Sequence, residues 1–92
     1  MPIDKKFIDQ FVNVTTKAAL ASSYLVGKKD KIAADKAATD SMRKELNKIN
    51  MDGKIVIGEG ELDEAPMLHI GEKLGTNNEP ILDIAVDPLE GT

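Results

Sequence analysis

Between Asp4 and Val26 the apolar residues Phe7, Phe11, Val14, Ala18, Ala21 and Leu25 recur in steps of three and four, with Ile8, Val12 and Ala19 widening the stripe. That period predicts an amphipathic helix. Asp4 can cap its start, and Gly27 followed by Lys28 and Lys29 supplies a left-handed cap and charges that suit the C-terminal dipole. A second helical pattern begins near Asp30 to Ile32 and runs to about Asn50, with Ile32, Ala38, Met42, Leu46 and Ile49 on one face. Asn50-Met51-Asp52-Gly53 has turn composition, and Lys54 to Gly58 then predicts a strand whose consecutive branched residues suggest burial on both faces. Ala65 to Gly75 reads as a short helix, with Pro66 near its first turn and Gly75 at its end. After a polar connection from Thr76 to Pro80, Ile81 to Asp87 forms a second strand, with Leu82, Ile84 and Val86 on one face and Ile81, Asp83, Ala85 and Asp87 on the other. Pro88, which has no N–H for a ladder, ends it. Two helices, strand, short helix, strand is a mixed α/β order with too few strands to close a sheet.

Composition narrows the function classes. Ninety-two residues make at most one small domain, which buries only roughly 60 to 65 per cent of its unfolded surface. With 3% aromatic residues and no Trp, few large side chains are available for that burial, which suits a piece of something larger. The net charge of −4 and the lack of a basic stripe argue against nucleic acid or an anionic membrane as partner. The absence of cysteine excludes disulfides, thiolate zinc sites and cysteine nucleophiles, and the single His69 excludes multi-histidine sites. The start lacks the apolar region of a signal peptide, and no apolar run approaches the ~20 residues of a membrane span, so a cytoplasmic location is expected.

Both strand patterns run into acidic clusters: Glu59-Gly60-Glu61-Leu62-Asp63-Glu64 after the first and Asp87-Pro88-Leu89-Glu90-Gly91-Thr92 after the second. Oxygen ligands grouped in this way are what a hard divalent cation requires. Asp87 and Glu90, three apart across a Pro-initiated turn, can converge on one cation, and Mg²⁺ and Mn²⁺ both suit carboxylate, carbonyl and water. Gly91 and Thr92 offer two unobstructed backbone N–H groups, which form a phosphate cradle if a helix starts there. A plainer reading of each cluster stands beside this one: a strand-ending turn with incidental acids, and a solvated acidic loop. Asp35 is open in the same way. It is either a solvated first-turn acid favoured by the helix dipole, or a carboxylate held between Ile32 and Ala38 and Met42, where an unpaired charge is costly and a metal would remove the conflict. His69 reads as an ordinary polar or half-buried residue, and Lys28, Lys29 and Lys31 as solvated.

Three stretches taken together carry a resemblance. They are Asp30-Lys31 to Ala34-Asp35, the run Ile55-Val56-Ile57-Gly58-Glu59-Gly60-Glu61-Leu62-Asp63-Glu64-Ala65-Pro66-Met67-Leu68, and Asp83-Ile84-Ala85-Val86-Asp87-Pro88-Leu89-Glu90-Gly91-Thr92. In order and spacing they closely resemble the class II (GlpX-type) fructose-1,6-bisphosphatases, over essentially the whole chain. The resemblance implies the layered αβαβα fold of the lithium-sensitive sugar and inositol phosphatases. These 92 residues would be the N-terminal segment of one larger domain, incomplete and inactive by itself.

By motif, the resemblance implies Asp35 and Glu59 as ligands of one divalent metal (Mn²⁺ or Mg²⁺) and Asp87 and Glu90 as ligands of a second. Glu61 and Asp63 fall near the attacking water, Glu90, Gly91 and Thr92 meet the substrate phosphate, and Thr92 orients or activates the water. The implied reaction is metal-assisted in-line hydrolysis of the 1-phosphate of fructose 1,6-bisphosphate to fructose 6-phosphate, a gluconeogenic step, with the Gly91 and Thr92 amides neutralising developing charge. Expected partners are that substrate, the remainder of the enzyme beyond Thr92, and further copies in a homo-oligomer. A related sugar or inositol phosphatase, acting for instance on sedoheptulose 1,7-bisphosphate, and a standalone cation-binding or helical interaction module are the alternative readings.

Overall fold

The computed structural model describes residues 4–58 and 68–89. Its elements are α1 (Lys6–Ser23), α2 (Lys31–Leu46), β1 (Asp52–Ile57), β2 (Lys73–Leu74) and β3 (Ile81–Ala85). The three strands form one mixed sheet in the order β2-β1-β3, with β2 antiparallel and β3 parallel to the central strand. The α/β expectation holds, as two helices beside a small sheet.

Both helices start and stop where local chemistry directs. The Lys6 N–H donates to Asp4 Oδ1 at 2.9 Å, and the Ala33 N–H donates to Asp30 Oδ1 at 3.0 Å, so each acid satisfies an otherwise orphaned amide of a first turn. Gly27 is left-handed at φ +78°, but it lies in the turns beyond α1 and does not cap the helix, whose C-cap is Tyr24. α1 closes at Ser23 rather than near Val26, because the Leu25, Val26 and Lys28 amides bond three residues back and tighten the chain into turns. α2 ends at Leu46 rather than near Asn50. There the asparagines are taken up by the 75–76 turn, with Gly75 N–H donating to Asn47 Oδ1 and Thr76 Oγ1 to Asn50 Oδ1.

The helices lie chiefly against each other and share a core with one face of the sheet. Phe7, Val14 and Ala18 of α1 and Ala38, Met42 and Leu46 of α2 meet Met51, Ile55, Leu74 and Ile84 there, with Ile49 and Leu68 filling in from the connections. The stripe is narrower than its sequence suggests: Ile8 and Val12 are exposed, and Ile32 is 82% exposed at the first turn of α2. β3 keeps the predicted division, with Leu82, Ile84 and Val86 inward and Ile81, Asp83 and Ala85 outward.

Three local expectations are corrected. Asp52 and Gly53 belong to β1 rather than to a turn, and Met51 is fully buried. β1 is buried on one face only, since Val56 and Ile57 are exposed. The short helix expected over 65–75 lies partly outside the described residues, and its described part is a turn leading into β2. The cause is the edge of β1. Gly71 N–H donates to the Ile55 carbonyl at 2.8 Å and Ile55 N–H to the Glu72 carbonyl at 3.0 Å, satisfying backbone groups of a fully buried residue. Gly71 reaches this arrangement at φ +95°, a conformation no helix can contain. Leu68 and Leu74 are buried while Ile70 points outward.

Leu46→Ala should cost about 2–5 kcal/mol, since it opens a cavity where the helices meet the sheet, whereas exposed Lys44→Ala should stay within about 0.5 kcal/mol; chemical denaturation of the two variants checks the contrast.

Candidate metal and phosphate centre

The site begins with strand direction. β1 and β3 run parallel in register, from Asp52 opposite Ile81 through Ile55 opposite Ile84, with a shift between Ile55 and Ile57 that leaves Ile57 opposite Ala85. The Val86 N–H donates to the Ile57 carbonyl at 2.8 Å and carries the pairing past the end of β3. Gly58 and Asp87 therefore leave the sheet at the same end, side by side. In open sheets with parallel strands, ligands collect outside these carboxyl ends.

Asp87 is exposed, and its Oδ1 accepts a 3.3 Å bond from the Leu89 N–H that shapes the turn around buried Pro88. Leu89 faces the start of α2: a cleft of about 430 Å³ is lined by Leu25, Val26, Asp30, Lys31, Ala34 and Leu89. The turn carrying Asp87 and the helix carrying Asp35 thus adjoin. Asp35 is half-buried, and its Oδ1 is fully buried with no hydrogen-bond partner among the described residues. An ionised oxygen without a donor is costly in such a place, and a cation is the usual remedy. The donors here are carboxylate oxygens, which suits Mg²⁺ or Mn²⁺, so the residues fit a hard divalent ion.

Of the residues predicted for the site, the structure brings together the elements that carry Asp35 and Asp87. Glu59, Glu61, Asp63, Glu90, Gly91 and Thr92 lie outside the described residues. Among the described residues, no group of three acids or histidines gathers as a complete metal cage. His69 is half-buried with Nε2 3.7 Å from Glu72 Oε1, in keeping with an ordinary polar role. Lys28, Lys29 and Lys31 are exposed, as their solvated reading requires.

The family model for bacterial, glpX-encoded fructose-1,6-bisphosphatase matches residues 5–92. The chain belongs to this family. A D-fructose 1,6-bisphosphatase class 2/sedoheptulose 1,7-bisphosphatase of Synechococcus sp. (strain CC9902) is 57% identical over 90 residues, which is 98% of this chain and 27% of that protein. Fructose-1,6-bisphosphatase 1 class 2 of Escherichia coli (strain K12) is 59% identical over 83 residues, 90% of this chain and 25% of that protein. The chain thus spans about a quarter of the length of these curated relatives.

Within this chain, one pair of side chains had no sequence signal. Arg43 of α2 grips Glu72 with two bonds, Nε to Oε2 at 2.6 Å and Nη2 to Oε1 at 2.9 Å. That hydrogen bonding raises the guanidinium pKa above its ordinary value, with burial pulling the other way. The partners are 29 positions apart and obey no period, so only the fold reveals them. No helix among the described residues is long and apolar enough to cross a membrane.

Gly58 guards the exit from β1. A Cβ there would collide with the Leu68 carbonyl and Ile55 Cγ2, whereas one on Gly27 would meet nothing within 4 Å. Gly58→Ala should therefore cost about 1–3 kcal/mol through overpacking, while Gly27→Ala should carry only the backbone penalty of about 1 kcal/mol. Thermal unfolding of both variants, with Gly58→Ala the less stable, is the check.

Proposed function

We propose that this chain is the N-terminal segment of a class 2 fructose-1,6-bisphosphatase, and that it supplies one side of a divalent-metal phosphatase site. The observation that carries the reading is the parallel delivery of Gly58 and Asp87 to one end of the sheet, beside the helix whose Asp35 oxygen has no partner among the described residues. Asp35 and Glu59 would hold one ion and Asp87 and Glu90 a second, as Mn²⁺ or Mg²⁺. Bound there, such ions supply activation of water and neutralisation of phosphoryl charge near neutral pH. Gly91 and Thr92 would bind the 1-phosphate through backbone N–H groups, with the Thr92 hydroxyl holding the attacking water in line and Glu61 or Asp63 accepting one proton from it as the bond from phosphorus to the C1 oxygen breaks and that oxygen is protonated from solvent. The substrate would be fructose 1,6-bisphosphate. Sedoheptulose 1,7-bisphosphate is a second candidate because the Synechococcus relative carries both activities in its name.

Asp35→Asn gives a test that does not depend on turnover. In metal-free protein the substitution should raise the melting temperature, since it removes charge from a buried oxygen lacking a donor, and added Mn²⁺ should stabilise the wild type more than the variant. Equal stabilisation of both by Mn²⁺ would reject Asp35 as a ligand.

In the whole protein, Asp87→Ala should remove most fructose 1,6-bisphosphatase activity. Thr92→Ala should lower kcat by about 10²-fold or more while calorimetric Mn²⁺ affinity stays near that of the wild type. An unchanged kcat in Thr92→Ala would exclude the hydroxyl from water positioning.

A further inference from the structure

Arg43 and Glu72 join the middle of the C-terminal half of α2 to the segment paired with β1, whereas the Asn47–Gly75 and Asn50–Thr76 bonds lie past the end of the helix. Glu72 is fastened to the central strand through its backbone, its carbonyl accepting from Ile55 N–H while the neighbouring Gly71 N–H donates to the Ile55 carbonyl. Ile55 is fully buried and stands opposite Ile84 of β3, so the Glu72 carboxylate has a fixed place relative to both parallel strands. Arg43 rides on α2, whose apolar contacts with the core come from Ala38, Met42 and Leu46. Apolar contact is non-directional and leaves the tilt of a helix less closely defined, whereas a two-point guanidinium–carboxylate fork fixes both distance and orientation. The pair is only partly exposed, at 28% and 14% for the two side chains, which shields it from solvent screening.

α2 also carries Asp35, eight residues before Arg43. At 1.5 Å per residue that is a rigid arm of roughly 12 Å, so a tilt of about five degrees at the fork moves Asp35 by about 1 Å. Small divalent ions demand near-ideal ligand distances, and an error of that size is enough to weaken them. We infer that Arg43 is a positioning residue: through its fork with Glu72 it sets where α2 holds Asp35 against the carboxyl ends of β1 and β3. This rests on the reading of Asp35 as a metal ligand given above.

The test is calorimetric titration of Mn²⁺ into the whole protein for Arg43→Gln, Arg43→Lys, Glu72→Gln and Asp35→Asn, with thermal unfolding of each alongside. Groups that orient a ligand typically cost about 10-fold to 100-fold in metal affinity when removed, and the two Gln variants should lose about ten-fold. Arg43→Lys keeps the charge without the fork, so it should fold like the wild type and still bind Mn²⁺ more weakly. If Arg43→Gln does not fold, Arg43→Lys and Glu72→Gln carry the comparison. Wild-type Mn²⁺ affinity in the Arg43 and Glu72 variants, with only the melting temperature lowered, would reduce the fork to a structural tie and overturn the inference while leaving the metal reading intact, provided Asp35→Asn binds poorly. Wild-type affinity in Asp35→Asn would overturn the metal reading, and the inference with it.

Discussion

The parallel pairing of β1 with β3 is the constraint on which the rest depends. Two strands far apart in sequence run in the same direction with matched register, so whatever follows each one is delivered to one end of the sheet. In an antiparallel pair the same acids would sit at opposite ends. The pairing also separates two uses of charge. Glu72 and Asp52 are held by Arg43 and Lys73 and link separate segments, Glu45 and Asp40 pair with lysines three and four residues away, and Asp35 and Asp87 have no cationic partner among the described residues.

The helical layer answers a different requirement. Its apolar stripe covers the face of the sheet that bears Ile55, Leu74 and Ile84, and the two connections close over the ends with Ile49, Met51 and Leu68. The opposite face, with Lys54, Ile81 and Asp83, is exposed. α2 serves twice, as half of this layer and as the carrier of Asp35. The Arg43–Glu72 salt bridge, two turns from Asp35, ties this helix to the segment that pairs with the central strand.

Much of this was legible in the amino-acid order. The helices follow from the three-and-four spacing of Phe7, Val14 and Ala18 and of Ala38, Met42 and Leu46, and the facing of β3 follows from simple alternation. The cap at Asp30 and the left-handed turn at Gly27 are readable because their chemistry is local. What the sequence hid was non-local. The segment around Leu68 to Leu74 has helical composition, yet the unsatisfied edge of β1 draws it into a strand, a demand that no local pattern expresses. Ile32 fits the apolar period of α2 but lies a turn before the helix meets the core. The acidic clusters are visible as residue types, but the adjacency of the helix carrying Asp35 to the turn of Asp87 depends on the crossing of a helix and a strand end, and the Arg43–Glu72 fork has no sequence signature at all.

The register shift between Ile55 and Ile57 gives β1 a phase as well as a direction. Because side chains alternate from face to face, an extra or missing residue at a strand's end decides which side the following chain is presented to. With Val56 as the residue out of step, β1 acts like a reading frame for the segment that begins at Gly58. A one-residue insertion in the connection over 76–80 can be absorbed at the surface. The same insertion between Asp52 and Gly58 would be a frameshift in space, turning the chain that leaves β1 toward the other side of the sheet.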